Sequence, residues 1–327
     1  MIRVAMLSKW HVHADYYAEQ AKKTGKVEIT AVWDEDKERG QAWAERLGCD
    51  FEPCLDTLLA RNDIDAVICD TPTTAHCDVL VKAAKAGKHI FTEKALCPTV
   101  AECLEVKKAV EEAGVTFAIS FFQLGSPALK FAKRMIADGA FGTITHVRSR
   151  VAHGGVSDKW LPAYWFEEKD AAGGAMMDLG CHPMYIISYI LGKPKRVTGL
   201  YTAPFGTPVD ENAVAIAEFE GGAIGVAETS FISYGSPNTL EINGTEGCLI
   251  AHGDDIMVKS KKYKSLYKDF FKPDIPDADP IPLLQFIDAV DEGKPVSDEI
   301  GMEAAIALTE LLENSYKGNA SDVIVEL

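Results

Sequence analysis

The 327-residue sequence lacks several features that would mark particular classes of protein. No hydrophobic run approaches the roughly 20 apolar residues of a transmembrane helix, and the apolar stretch at the N-terminus is too short for a secretion signal. The eight cysteines form no CxxC pair and follow no regular spacing. We therefore expect a cytoplasmic protein with reduced, mostly buried thiols rather than a zinc site or a disulfide framework.

Basic residues are scarce relative to acidic ones. Lysine and arginine together number 33 against 49 aspartates and glutamates, which gives a formal net charge of −16. This charge argues against phosphate-rich surfaces as partners, so we expect neither nucleic-acid binding nor attachment to an anionic membrane. The hydrophobic content of 47% and the charged content of 25% are ordinary for globular proteins, and the length suits two domains.

Residues 1–122 alternate short apolar runs with amphipathic stretches. The runs predict strands at 3–7, 29–33, 66–70, 89–92 and 116–121, and the stretches at 37–47 and 78–86 have the apolar spacing of helices. Strands that alternate with helices form a parallel sheet covered by helices on both faces. We predict an α/β, doubly wound domain, which binds its ligands at the carboxyl ends of the strands.

The pattern changes after residue 122. A helix is predicted at 128–138, and longer strands of alternating polarity follow, some of them separated by glycine-containing turns at 220–222 and 244–247. The predicted strands are 143–152, 196–202, 213–220, 223–230, 238–243, 248–252 and 255–259, and further helices are predicted at 283–292 and 301–316. This pattern predicts an α+β domain over residues 123–327 with an open, mainly antiparallel sheet.

Polar residues follow three predicted strands of the first domain. Asp34 ends the second strand, where a carboxylate either accepts the hydroxyls of an adenosine ribose or caps the next helix. Thr71-Pro72-Thr73 and Glu93-Lys94 follow two neighbouring strands and should reach the same crevice. A lysine beside a nicotinamide would have a lowered pKa and could move a proton at an alcohol carbon, although a Glu-Lys dipeptide is commonly only a surface pair.

Another cluster begins at Gly173-Gly174, before a helical apolar pattern that ends at Gly192. Asp178 and His182 are four residues apart, so we expect both on one face of this helix. There one group could orient a substrate hydroxyl while the other moves a proton. The alternative is a hydrogen-bonded pair that only stabilises the helix. Pro183 removes an amide donor and is expected to bend the helix.

Two further groups of residues have less specific patterns. His11 and His13 form an HxH pair, but apart from Asp15 no third Cys, His or carboxylate lies near the pair in sequence, so no metal site is predicted. The aromatic residues Tyr164 and Trp165 precede the Asp178 cluster, where their rings either stack on a sugar or pack in the core.

In order and spacing, these clusters resemble the Gfo/Idh/MocA oxidoreductases, the family of glucose–fructose oxidoreductase and inositol dehydrogenase. The matching residues are Thr71-Pro72, His76, Ala86-Gly87-Lys88-His89, Glu93-Lys94, Gly173-Gly174, Asp178, His182, Phe286, Ala289, Gly293 and Pro295. The resemblance covers essentially the whole chain. It implies a Rossmann domain that binds NAD, oxidation of a hydroxyl on a sugar, cyclitol or related polyol, and a homodimer or homotetramer formed through the sheet of the second domain.

The resemblance also assigns residues. It makes Lys94, Asp178 and His182 catalytic, and Asp34 favours NAD over NADP because its charge would repel a 2′-phosphate. The expected cofactor-binding residues are Ser8, Trp10, His11, His13, Asp34, Thr71, Pro72, Thr73, His76 and Glu93. The expected substrate-binding residues are Lys94, His153, Tyr164, Trp165, Asp178 and His182.

The chain departs from the family pattern at three points. Ser8, Trp10 and His13 replace the glycines of the first loop, Ala95 replaces the proline after Glu-Lys, and the Arg-Phe pair after the last strand is absent. A tryptophan side chain must turn away from a diphosphate or cover it. Three functions therefore stay open: an NAD(P)-dependent dehydrogenase acting on CH–OH groups, a glycoside-cleaving or epimerising enzyme with transiently reduced NAD, and a non-catalytic ligand-binding or regulatory protein.

Overall fold

The computed structural model describes residues 1–253, 255–321 and 323–327. The chain divides into two units: unit 1 comprises residues 1–121 and 280–309, and unit 2 comprises residues 122–279 and 310–327. The sequence predicted a single division near residue 122 with all later residues in the second domain. In the structure, residues 280–309 belong to unit 1 instead.

Unit 1 is built on a six-stranded parallel sheet. Its elements to residue 121 are β1 (Ile2–Leu7), α1 (Ala14–Lys23), β2 (Val27–Trp33), α2 (Lys37–Leu47), β3 (Asp50–Phe51), α3 (Leu55–Leu59), β4 (Ala66–Cys69), α4 (His76–Lys85), β5 (His89–Thr92), α5 (Val100–Ala113) and β6 (Phe117–Ile119). The strand order is β3-β2-β1-β4-β5-β6, so the direction of winding reverses between β1 and β4. The predicted doubly wound sheet is confirmed, and such a reversal opens a ligand crevice at the carboxyl ends of the strands.

Local signals in the sequence set the bounds of the helices in unit 1. The Asp36 carboxylate caps α2 by accepting hydrogen bonds from the amides of Glu38 and Arg39, and α2 ends at Gly48, whose φ is +74°. Thr99 begins α5 with a reciprocal pair of hydrogen bonds to Glu102. Such caps satisfy amides that have no partner within the helix. The cap of α2 is therefore Asp36, and Asp34 does not have that role.

The helices α9 (Pro282–Glu292) and α10 (Met302–Ser321) follow unit 2 in sequence. The apolar face of α9 is buried, and the ring of Phe286 packs 5.9 Å from the ring of Phe91 in β5. This packing explains why α9 groups with unit 1, whereas α10 contributes residues 302–309 to unit 1 and 310–321 to unit 2.

Unit 2 is built on an eight-stranded mixed sheet. Its elements are α6 (Pro127–Ala137), β7 (Ile144–Ala152), α7 (Glu168–Ala171), α8 (Cys181–Leu191), β8 (Pro194–Thr202), β9 (Asn212–Phe219), β10 (Ile224–Ser230), β11 (Thr239–Gly244), β12 (Gly247–His252), β13 (Asp255–Ser260) and β14 (Val325–Glu326). The order is β13-β12-β11-β7-β10-β9-β8-β14, and only the β7–β10 pair is parallel among these described strands. The predicted open, mainly antiparallel sheet is confirmed.

The two faces of this sheet differ in their burial. Alternate residues point to opposite faces of a strand, and Gly225 of β10 faces Ile187 of α8, so α8 covers one face. On the other face, Ile216 and Leu200 remain 46% and 71% exposed. None of the helices in the described part of the chain is long and apolar enough to cross a membrane.

Candidate functional site

The first loop of unit 1 joins β1 to α1 without a glycine. Ser8 takes the left-handed conformation, with a φ of 71°, that a glycine usually adopts at the start of such a loop. The Trp10 side chain is buried, so the ring packs within unit 1 and does not project into solvent. The loop therefore keeps a glycine-like turn while filling its interior with an aromatic ring.

Six backbone amides of this loop already have acceptors within unit 1. Amides at a helix start are the groups that normally hold the diphosphate of a dinucleotide. The bonds are Ser8 N to Trp33 O, Lys9 N to Asp34 Oδ2, Trp10 N to Ser8 Oγ, His11 N to Asp70 O, His13 N to His11 Nδ1 and Ala14 N to His11 O, at 2.6–3.3 Å. These amides do not fit the usual amide-mediated grip on a diphosphate.

Asp34 is fully buried and its carboxylate has four hydrogen-bond donors. Arg39 donates to both oxygens, at 3.0 and 2.6 Å, and the amides of Lys9 and Asp36 donate at 2.9 and 2.8 Å. Asp34 is therefore occupied by its own chain instead of being open to a ribose.

The sequence did not point to Glu35 or Arg39, whose side chains surround the Asp34 carboxylate. The Glu35 side chain is 35% exposed and accepts a hydrogen bond from Arg39 at 2.6 Å. Partial burial and the neighbouring Asp34 charge raise the pKa of Glu35. Two carboxylates thus share one guanidinium, and Glu35 is the one that solvent reaches.

His76 holds together the chain segments that follow β4 and β5. Its ring is buried, Nδ1 lies 2.9 Å from the carbonyl oxygens of both Ala95 and Leu96, and Nε2 lies 3.0 Å from the carbonyl oxygen of Thr71. Burial lowers the pKa of His76. Both ring nitrogens face backbone carbonyls, and the one that carries the proton donates to them, so His76 braces the segment that carries Lys94. Its contact with a cofactor stays a prediction. Pro72 and Thr73 lie in the same turn after β4.

Glu93 and Lys94 are both buried directly after β5. The Lys94 amide donates to Glu93 Oε2 at 2.9 Å. Glu93 Oε1 lies 2.7 Å from His13 Nδ1 and 3.5 Å from His11 Nδ1, and the Tyr17 hydroxyl donates to it. Burial would raise the pKa of Glu93, but the adjacent imidazoles outweigh burial and hold it well below its ordinary value.

The fold thus supplies the third metal-binding group that the sequence around the HxH pair lacked. His11, His13 and Glu93 place their donor atoms within 4.8 Å of one another. Asp15, the nearest candidate in sequence, instead accepts hydrogen bonds from Trp43 Nε1 and from Arg46. The partner came from a different strand end, which spacing along the chain could not reveal.

Asp70 is another residue that sequence reasoning missed. Its carboxylate is fully buried after β4, and neither oxygen has a hydrogen-bond partner among the described residues. Burial, followed by the negative charges of Glu93 and Asp15, raises the pKa of Asp70 well above its ordinary value. A carboxylate at the end of a buried strand was the signal that could have identified it.

In unit 2, Asp178 lies before α8 and not on it. The helix begins at Cys181, so the expectation that Asp178 and His182 project from one helix face was wrong. Trp165 Nε1 donates to Asp178 Oδ2 at 3.3 Å, which ties the predicted aromatic residue to the carboxylate. Pro183 occupies the first turn of α8, where an amide has no partner within the helix, so no bend is required.

His182 is buried in the first turn of α8. Its Nδ1 lies 2.8 Å from the Tyr185 hydroxyl, which accepts from the Gln123 amide at 3.2 Å. The hydroxyl proton can therefore point to Nδ1, which leaves the proton of a neutral ring on Nε2. The edge of the ring also contacts Phe122, with the centroids 4.8 Å apart.

A buried carboxylate fixes the turn that carries Asp178. Asp210 Oδ1 accepts from the Gly174 amide at 2.9 Å and from the Tyr316 hydroxyl at 2.7 Å, and Oδ2 accepts from the Met176 amide at 2.8 Å. A Cβ at Gly174 would lie 2.0 Å from the Asp210 carbonyl oxygen. Glycine is thus required here by a close approach of two backbone segments. Asp210 was also missed, because it lies far from Gly174 in sequence.

The remaining predicted substrate residues lie in an aromatic part of unit 2. The His153 ring stacks on Phe231 at 5.3 Å and contacts Trp160 at 4.7 Å. The partly buried Tyr164 lies beside the buried Trp165, with ring centroids 6.5 Å apart. The structure brings Trp165 to Asp178, and it packs His153 against Phe231 and Trp160.

The parallel sheet of unit 1 and the mixed sheet of unit 2 define the class of oxidoreductases that join a Rossmann domain to an α+β domain. Comparison with family models gives two matches: "Oxidoreductase family, NAD-binding Rossmann fold" at residues 9–121 and "GFO/IDH/MocA C-terminal domain" at residues 129–250. The chain belongs to the Gfo/Idh/MocA family, as the sequence resemblance predicted.

Its relatives have different named activities. The chain is 30% identical to D-xylose 1-dehydrogenase (NADP(+)) 2 of Haloferax volcanii over 71% of this chain and 70% of that protein. It is 29% identical to scyllo-inositol 2-dehydrogenase (NAD(+)) of Bacillus subtilis over 88% of this chain and 87% of that protein. It is 32% identical to 2,7-anhydro-N-acetylneuraminate hydratase of Mediterraneibacter gnavus, over 50% of this chain and 43% of that protein. The chain also spans only 60% and 57% of the lengths of two other relatives, so it covers less than two thirds of each of these three proteins.

Solved structures share the fold across the chain. Levoglucosan dehydrogenase in complex with NADH and L-sorbose gives a TM-score of 0.87 over 100% of this chain and 98% of that chain, at 20% identity. At this identity the likeness shows the fold alone.

Proposed function

We propose that the protein is an NAD-dependent oxidoreductase that transfers a hydride between a hydroxyl-bearing carbon of a sugar, cyclitol or related polyol and the nicotinamide. The position of Lys94 carries this proposal. Lys94 is buried directly after β5, at the carboxyl edge of the parallel sheet, where doubly wound domains bind their ligands. Its backbone is held by Glu93 and, through the neighbouring Ala95, by His76.

Unit 1 would hold the cofactor at its two ends. Glu35, backed by Asp34, would face the adenosine ribose, and the turn of Thr71, Pro72 and Thr73 would line the crevice near Lys94. Bound NAD would supply the hydride acceptor. The central diphosphate would find six of the loop amides already engaged, so a different group would have to hold it.

Lys94 would act on the proton of the substrate hydroxyl. An amine within hydrogen-bond reach of that oxygen takes its proton during oxidation and returns it during reduction. Burial of Lys94 excludes bulk water from the amine and limits exchange of that proton with solvent.

In unit 2, Asp178 and His182 would bind substrate hydroxyls. The Trp165 indole orients the Asp178 carboxylate, whose oxygens are of the type that accepts a hydrogen bond from a substrate hydroxyl. The Tyr185 hydroxyl orients the His182 ring, whose Nε2 proton could be donated to a hydroxyl oxygen. Dehydrogenases named for xylose and inositol among the relatives support a polyol as the substrate class.

A second candidate reaction is supported by the hydratase relative. Oxidation next to a C–H bond acidifies that bond, so an enzyme with transiently reduced NAD can eliminate or add a group at the neighbouring carbon and then restore NAD. This reaction would use Lys94 in the same proton transfer but would release no reduced cofactor.

One assay tests both candidates. The full-length protein is incubated with NAD and a panel of sugars, cyclitols and anhydro-sugars, and both the near-ultraviolet absorbance of reduced nicotinamide and the consumption of substrate are followed. Net NADH formation supports the dehydrogenase, and substrate conversion without net NADH supports the second candidate. Absence of both, together with absence of NAD binding by calorimetry, would reject enzymatic function and favour a ligand-binding protein.

We also propose that the protein forms a homodimer or homotetramer through the uncovered face of the unit 2 sheet. Val214, Ile216 and Val226 lie in register across β9 and β10 on that face, beside the exposed Leu200 of β8. Contiguous exposed apolar residues on a sheet commonly mark an interface.

A further inference from the structure

Three side chains with metal-binding atoms converge in unit 1 at the start of α1. His11 Nδ1 and His13 Nδ1 lie 3.5 and 2.7 Å from the same oxygen of Glu93, and the donor atoms of all three residues lie within 4.8 Å of one another. His11 and Glu93 are buried, and the His13 side chain is 33% exposed. The cluster is therefore compact and reachable from solvent on the His13 side.

The spacing of these atoms suits a common metal ion. Zinc binds imidazole nitrogen and carboxylate oxygen at about 2.0–2.2 Å, which separates neighbouring ligand atoms by roughly 3–3.5 Å in tetrahedral or octahedral geometry. The two nitrogen–oxygen distances of 2.7 and 3.5 Å bracket this range. A small shift of the more exposed His13 side chain would equalise them, and a metal ion on His11 Nδ1 would replace the hydrogen bond that this atom accepts from the His13 amide at 3.3 Å.

The surroundings of Glu93 resemble the support that metal ligands receive. The Lys94 amide and the Tyr17 hydroxyl donate to the carboxylate, and the Tyr17 oxygen lies 2.5 Å from Ser120 Oγ. Such outer contacts fix the orientation of a ligating carboxylate.

A second observation is an unsatisfied acidic group in the same part of unit 1. The Asp70 carboxylate is fully buried without a hydrogen-bond partner among the described residues, and the Asp70 carbonyl accepts the His11 amide at 3.1 Å. Asp70 thus adjoins the histidine pair through its backbone, and Glu93 adjoins it through its carboxylate. A divalent cation held by the pair would offset their charge.

We propose that His11, His13 and Glu93 bind one divalent transition-metal ion of the zinc class. Three protein ligands leave at least one position of the ion open to an external oxygen. Resting on the proposed function, we assign that position to a diphosphate oxygen of the cofactor, because a cation can replace the loop amides that are engaged elsewhere. The ion would take over the anion-binding role that glycine-rich loops give to their backbone.

The site is tested by metal binding to the full-length protein after removal of metal with a chelator. Zn²⁺ is titrated in competition with a chromogenic chelator, and metal content is measured by elemental mass spectrometry after dialysis. We expect about one ion per chain, and at least a roughly tenfold loss of affinity in His13→Ala and in Glu93→Gln. His252→Ala, which removes an exposed histidine of β12, is the matched control and should bind Zn²⁺ like the unmodified protein.

Co²⁺ provides an independent readout. Its visible absorption bands should appear on binding and should be lost in His13→Ala. Because the His13 side chain is partly exposed, this variant should fold even if Glu93→Gln does not. A protein that takes up no stoichiometric Zn²⁺, or a His13→Ala variant with unchanged affinity, would show that the cluster is an ion pair between imidazole and carboxylate only.

The assigned role is tested separately by titrating NAD with and without bound Zn²⁺. We expect at least a roughly tenfold tighter NAD affinity with the ion present. Zn²⁺ binding with equal NAD affinity in both states would overturn the role of the ion. Absence of NAD binding in both states would overturn the proposed function while the metal titration still decides the site.

Discussion

Arg39 holds Asp34 by a two-point contact, with Nε 3.0 Å from one carboxylate oxygen and a terminal nitrogen 2.6 Å from the other. Two backbone amides complete the set of donors. The carboxylate that the sequence assigned to the ribose is consequently saturated, and the next residue, Glu35, presents the accessible negative charge at the end of β2.

This pair of carboxylates predicts a preference for NAD over NADP. A 2′-phosphate would face Asp34 and Glu35 with a single guanidinium between them, and such like-charge contact should cost about 1–3 kcal/mol, or roughly ten- to a hundredfold in affinity. Calorimetric titration of both cofactors measures the ratio. Glu35→Gln should reduce the ratio of NAD affinity to NADP affinity. NADP binding as tight as NAD binding would contradict the predicted preference for NAD.

Lys94→Ala should lower turnover far more than NAD affinity. A positioned acid–base group contributes roughly 10²–10⁴-fold to rate, whereas loss of the amine should change NAD affinity by no more than about threefold if its role is in the proton transfer. Lys85→Ala, which removes an exposed lysine at the end of α4, is the control and should retain full activity. A Lys94→Ala variant with near-normal turnover would remove the lysine from the reaction.

Gly174→Ala should destabilise unit 2. The added methyl group would lie 2.0 Å from the Asp210 carbonyl oxygen. Because this oxygen belongs to the backbone, it cannot move aside as the end of a flexible side chain can. We expect a loss of at least about 2 kcal/mol in the free energy of unfolding. Gly301→Ala is the control, since its Cβ would meet nothing closer than 3.5 Å. Urea unfolding compares the two variants, and equal midpoints would contradict the role of Gly174.

Thiol reactivity should separate Cys54 from the buried cysteines. Hydrogen bonds from the side chain and the amide of Thr57 lower the pKa of the exposed Cys54, while burial raises the pKa of Cys69 to about 12. The thiolate is the reactive form, so alkylation of Cys54 should be fast near neutral pH and should slow as the pH falls through its lowered pKa.

Peptide mass spectrometry after brief alkylation identifies the modified residue. Cys54→Ser should abolish the fast phase, and Cys69 should react only after unfolding. Fast labelling of Cys69 in the folded protein would contradict its burial.

Ile216→Lys should reduce the oligomer to single chains. A charge placed in the apolar row of β9 would have to be buried without a partner in the proposed interface. Light scattering after size-exclusion chromatography gives the mass. Leu266→Lys alters a more exposed apolar residue after β13 and should leave the assembly intact. A mass that is unchanged by Ile216→Lys would place the interface elsewhere.

Regular elements were the part of the fold that the sequence predicted well. The helix at 37–47 has the predicted bounds because Asp36 and Gly48 cap it locally. Strand β3, with two residues, is too short to show a period, and the membership of α9 in unit 1 depends on contacts such as Phe286 with Phe91. The hydrophobic periodicity of a segment indicates whether it forms a helix or a strand. It does not indicate which other element that helix or strand will pack against.

The candidate site was less predictable for the same reason. Residue types and their strand-end positions were visible in the sequence, including Glu93 and Lys94. Their partners were not, because Glu93 meets His13 and Tyr17 across the sheet, and Asp210 fixes the Gly174 turn from a distant loop. The start of α8 was misjudged because that long-range contact, rather than helix propensity, determines the conformation before Cys181.

The position of β7 in the mixed sheet has a consequence for the order of folding. The strands β8 to β10 and β11 to β13 each pair with strands close in sequence, whereas β7 lies between the two groups and pairs in parallel with β10 across a long stretch of chain. Closing that stretch costs entropy before any contact of β7 stabilises the sheet. We therefore expect the two antiparallel groups to form early and the insertion of β7 between them to set the rate at which unit 2 becomes one cooperative structure.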